Sequence, residues 1–233
     1  MRAIAGCLLI AAVTTLGYTL AVNGKPRVET GPNAEVTYDG LYRVDRSTMD
    51  RAWVKPDLDL RPYTKIMLQT ADMTFRQVDD QGKFYRPGLD DQTEFPISEE
   101  TREKLKDTFT DAFREQLARS KRYELVDQRG PHTLVLVATL LDVVSRVPPD
   151  NVPGRYEVYL SSVGEATLVV ELRDAITNEV LARAADRRAA DNPAGFPAQS
   201  TTASNWAEVR QLANSWASLV RKRLDDFTSI AEG

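Results

Sequence analysis

The chain has one histidine, His132, and one cysteine, Cys7. Nucleophilic or metal chemistry must be built around them or around carboxylates. A Ser-His-Asp hydrolase would have to use His132, beside Gly130-Pro131, with a nucleophile that no motif identifies. No Gly-x-Ser-x-Gly elbow precedes a helix. With one histidine and a cysteine only at position 7, a zinc site would need three carboxylates or water, an unusual donor set. Asp90-Asp91 with Glu94, and Asp225-Asp226, lack the alternating spacing of a calcium loop and read as solvated. No Gly-x-x-x-x-Gly-Lys-(Ser/Thr) phosphate loop is present. The residues therefore name no catalytic group, metal ligand or cofactor.

Two constellations remain. Asp142 interrupts an apolar run, and a carboxylate there must be paired or stand at a wet strand end. Arg173 or Arg183 would pair it structurally. Functionally, Asp142, Arg173 and Arg183 would be one wall of a cleft beside the Pro-rich loop 146–155. Trp206 and Trp216, ten residues apart, could stack on a sugar or pack in a core; the apolar stripe they share favours the core.

The elements that would position these residues can be read from periodicity. Ser98 caps a helix over 98–120, with Leu105, Phe109, Ala112, Phe113 and Leu117 on one face and Glu99 and Glu100 in the first turn. Phe109 and Phe113 are expected in the core. A closing helix over 204–226 carries Trp206, Val209, Leu212, Ala213, Trp216, Leu219, Val220 and Leu224. Tyr63–Gln69 and Tyr123–Asp127 read as strands. His132–Val144 is nearly continuous in apolar and β-branched residues, as a central strand covered on both faces would be. A hairpin over 165–187 places Leu168, Val170 and Leu172 on one face. A three-residue loop, Thr177–Glu179, would pair Ile176 with Val180 and keep both apolar sets together. Glu171, Arg173, Arg183 and Arg187 then share the outer face. The expected fold is a single α/β domain over 50–229: a mostly antiparallel sheet packed with two amphipathic helices.

Ahead of it, residues 23–49 are polar and rich in Gly and Pro, and read as a tether. Residues 3–22 carry no charge and follow Arg2. That pattern fits a cleaved signal, with small residues at Thr19 and Ala21, or a retained anchor about 20 residues long. Ile4-Ala5-Gly6-Cys7 also looks like a lipobox with Cys7 as its target, although the residues after Cys7 are apolar rather than a polar tether. All three readings predict export to the periplasm or cell envelope, and an uncleaved or lipidated segment would add a membrane attachment. Cleavage would leave a mature chain without cysteine, stabilised by its core alone. A formal charge of −4 argues against binding a phosphate backbone, so no nucleic acid partner is expected.

Several stretches, in order, resemble a bacterial envelope family, domain of unknown function 3313, whose members are described as lipoproteins. They are Pro62-Tyr-Thr-Lys-Ile-Met67, Tyr123-Glu-Leu-Val-Asp127 with Gly130-Pro131, Leu141-Asp142-Val143, Glu171–Ala182, Asn205-Trp-Ala-Glu-Val209 and Trp216-Ala-Ser-Leu-Val-Arg221. Asn178 stands where a Gly is expected in the hairpin loop. The resemblance covers roughly residues 50 to 227 and implies an exported α/β envelope protein. It brings no catalytic residues. The expectation is a non-enzymatic binding or structural module that meets an envelope protein or wall component, with a hydrolase using His132 as the alternative.

Overall fold

The computed structural model describes residues 26–70, 73–78, 93–148, 157–192 and 195–227. The N-terminal segment with Cys7, the Asp90-Asp91 pair and most of loop 146–155 lie outside them.

An eight-stranded sheet has the order β1-β2-β3-β9-β8-β6-β4-β5. Its strands are β1 (Arg27–Val28), β2 (Tyr42–Asp45), β3 (Arg51–Val54), β4 (Lys65–Thr70), β5 (Glu124–Val126), β6 (Thr133–Ser145), β8 (Ser162–Asp174) and β9 (Val180–Asp191). A separate ribbon pairs β7 (Tyr159–Leu160) with β10 (Ala198–Gln199). The β6–β8–β9 ladder is antiparallel, whereas β4 runs parallel to both β5 and β6. The fold is the expected α/β domain, with the parallel strands gathered at one edge.

Two helices, α1 (Glu99–Leu117) and α2 (Thr202–Asp226), pack on each other and on one face of the sheet. Ser98 caps α1, its side chain accepting from the Thr101 N–H. Thr201 and Ser204 cap α2 reciprocally, two residues earlier than the apolar stripe alone suggests. The α1 stripe is buried as its spacing requires, at Leu105, Phe109, Ala112, Phe113 and Leu117.

Three expectations are corrected. Residues 27–49 do not form a free tether: β1 and β2 extend the sheet, and Leu41 and Met49 are buried. Strand β6 is not buried on both faces throughout: Thr133–Leu136 are all buried, the outer residues Val137, Thr139 and Leu141 are half-exposed, and Val143 and Val144 are buried again at the bulge. The hairpin register is shifted by two, with Leu172 opposite Ala182 and a bulge between Leu172 and Arg173. Asp174 causes this. Its Oδ1 accepts from the Ile176 and Thr177 N–H groups, which turns the chain there and leaves Ile176 exposed. A shift of two preserves the alternation, so the apolar sets still face the helices. Asn178 does adopt the left-handed conformation expected of that loop, with φ 60°.

Candidate functional site

Among the described residues, the chemistry-bearing side chains singled out above do not meet as a catalytic set. His132 ends a turn at φ 59°, and its Nδ1 lies 2.9 Å from the Pro62 carbonyl. Strand rise puts it roughly 25 Å from Leu140 at the other end of β6.

The proposed cleft residues separate into two ion clusters. Asp142, at φ 54° in a bulge of β6, accepts from Arg76 Nε at 2.8 Å and from Arg187 at 3.0 Å. Arg76 also meets Glu94, and Arg187 bonds Glu165 at 2.6 Å. Arg173 and Arg183 instead share Glu171, and Arg183 reaches Asp39 at 2.7 Å. Glu165 and Glu171 lie six residues apart on β8, about 20 Å along the strand. Hydrogen bonding from Arg76 holds the Asp142 carboxyl below the usual range. Burial pushes Glu165 and Glu171 up, but their arginines outweigh it and hold both down. These compensated charges clamp strand ends and the outer sheet face, and Asp142 finds its partners in Arg76 and Arg187 rather than in Arg173 or Arg183.

A pocket lies instead on the helix side, between the N-terminal halves of α1 and α2 and the end of the sheet. Its volume is about 400 Å³. The deep wall is hydrocarbon, from Leu105 and Phe109 of α1, Leu212 of α2, Leu140 of β6 and Val163 and Ala166 of β8. Met73 and Ile97 close one side. They come from segments that continue the sheet beyond β4, through Thr74 N–H to Leu140 O and Phe95 N–H to Ser145 O, each 2.9 Å. Polar groups stand among the less buried lining residues: Ser98, Thr101, Thr202, Asn205 and Glu165.

The two tryptophans have different fates. Trp216 is fully buried, as the stripe predicts, and its indole N–H donates to Asp186 at 2.7 Å. Trp206 is half-buried on the pocket wall, with Lys104 Nζ 4.1 Å from its ring centroid. Phe109 is core, as expected, and also pocket wall. Sequence reading missed the pocket because six separated segments build it. The one available signal was an aromatic residue close to a helix N-terminus, where a stripe runs out beyond its partner layer.

Glu208 flanks this region on α2, buried, with Oε2 unpartnered among the described residues. Burial, then the nearby Asp191 charge, pushes its carboxyl above the ordinary value of 4.5. The native state thus holds this proton more tightly than the unfolded chain does. Its contribution to stability is complete below pH 4.5 and is lost as the pH rises through the native value. Glu208→Gln is expected to stabilise the protein by about 1 kcal/mol at neutral pH and to lose that gain in acid. Urea unfolding across a pH series checks it; a gain independent of pH would contradict it.

Comparison with known proteins places the chain in a family without assigning it a role. No curated protein matches it. A PelC dodecamer from Paraburkholderia phytofirmans is similar at 11% identity and a TM-score of 0.37, over 76% of this chain and 97% of that one. A neuraminyllactose-binding hemagglutinin homolog from Helicobacter pylori is similar at 8% identity and a TM-score of 0.36, over 71% and 87%. Neither likeness bears on the pocket. The family model described as "Protein of unknown function (DUF3313)" matches residues 33–220, as the ordered motifs implied, and the chain belongs to that family.

Proposed function

We propose that this protein is a non-enzymatic binding module of the bacterial cell envelope, delivered there by residues 1–22, and that the pocket between α1, α2 and the sheet is its ligand site. The observation that carries this reading is a hydrocarbon-walled pocket of about 400 Å³, within the range of small-molecule sites. Its lining offers shape and apolar surface, and the hydroxyl of Ser98 is already engaged as a helix cap. The hydrolase alternative rests on His132, which sits at the far end of β6 and bonds a backbone carbonyl.

A neutral, solvatochromic dye such as Nile red tests the site. Wild-type protein is expected to bind it with a blue-shifted, brightened emission. Val209→Trp, which enlarges a half-buried wall residue on α2, is expected to weaken binding about tenfold or more with an unchanged circular dichroism melt. Equal binding by both proteins would show that the dye sits elsewhere.

A further inference from the structure

Resting on that pocket reading, we infer that the ligand is a single-chain amphiphile with an anionic head, its tail buried against Phe109, Leu140 and Leu212 and its head beside Lys104. Three observations define this class. The deep wall offers no side-chain hydrogen-bonding group, so what enters it must be hydrocarbon; a polar group there would lose its water without replacement. The volume, about 400 Å³, lies near the lower end of the range for ligand sites, which suits one chain rather than a two-chain lipid.

The third observation is charge at the mouth. Glu165, the carboxylate on the pocket lining, is spoken for by Arg187 at 2.6 Å and Arg146 at 3.5 Å. Arg102, one turn from Ser98, pairs with Glu99 at 3.5 Å and lies over Phe75. Lys104 makes no ion pair among the described residues and rests on Trp206, a wall residue. Lys104 is exposed and reaches the pocket only through the wall residue Trp206; a carboxylate or phosphate head beside Trp206 supplies its ammonium with a counter-charge while the tail displaces water from the wall. Trp206 lies where tail and head join, its ring against hydrocarbon and its face under the cation.

The test uses the folded full chain and calorimetric titration below the critical micelle concentration. Dodecanoate and dodecyl phosphate are expected to bind at least about tenfold more tightly than dodecyltrimethylammonium, the scale of one charge-assisted contact. Lys104→Glu should abolish or invert that preference while Nile red still binds, because Lys104 lies outside the hydrocarbon wall. Equal affinities for the anionic and cationic chains would overturn the inference and leave the pocket reading intact. If neither the chains nor Nile red binds, both fall. Sedimentation with phosphatidylglycerol vesicles without any response to free dodecanoate would assign the charge to a membrane surface and also overturn the inference.

Discussion

Gly164→Ala is expected to destabilise the protein by about 3–4 kcal/mol and to lower its melting temperature by roughly 10 °C. The cause is steric rather than conformational. A Cβ at position 164 would stand 2.1 Å from the Val144 carbonyl oxygen and 3.2 Å from its carbon. Both are backbone atoms of β6, so no side chain can swing aside. Gly164 faces Ser145, just past the bulge that brings Asp142 to the arginines. Making room means parting the end of β6 from the start of β8, two strands in the interior of the sheet order. Gly164 also lines the pocket, so dye binding should fall with stability. Thermal unfolding by circular dichroism checks this; a loss below about 1 kcal/mol would mean that the two strands do not approach as described.

Trp216→Ala should cost about 4–5 kcal/mol, the upper end of large-to-small core substitutions. The ring is fully buried and tilted 45° against Phe109 at 6.0 Å. Removing it opens a cavity between α2 and the sheet and also orphans part of a buried carboxylate. Asp186, 3% exposed, accepts from the Trp216 indole at 2.7 Å and the Asp50 N–H at 3.1 Å, and pairs with Arg188 at 2.6 Å. Trp216→Phe separates the two effects: most of the volume stays and the hydrogen bond goes, for an expected loss of about 2 kcal/mol. Chemical denaturation of both variants measures the difference. If the two losses were equal, the hydrogen bond rather than the cavity would carry the cost.

Much of the frame was legible from the chain because its signals are periodic and local. Ser98 caps α1 through its own side chain, and Leu105, Phe109 and Leu117 face the core because their spacing puts them on one stripe. The long run from Thr133 read as an inner strand, with a buried helix as the alternative, and it is β6. What escaped was set by tertiary context. Strands β1 to β3 are short, and their place follows from pairing in series, β1 on β2, β2 on β3 and β3 on β9. The hairpin register turned on Asp174, whose side chain makes a turn that the apolar alternation had placed at Thr177–Glu179. Asp186 carried a readable clue. It continues the inward alternation of Ala182 and Ala184, so a carboxylate there had to find donors inside, and an indole from the apolar stripe of α2 is one. Asp142 was read as paired or at a wet strand end, with Arg173 or Arg183 as partners, but the choice of Arg76 and Arg187 depends on the bulge.

The central claim is that the apolar space between α1, α2 and the sheet is where this protein holds its ligand. The most direct measurement is the Nile red titration read residue by residue, by NMR of protein labelled at its Leu and Val methyl groups. The expected result is saturable shifts at Leu105, Leu140, Val143, Val163, Val209 and Leu212, with Val137, Leu141 and Val169 on the outer sheet face unmoved. Shifts confined to that outer face, or none at saturating dye, would contradict it.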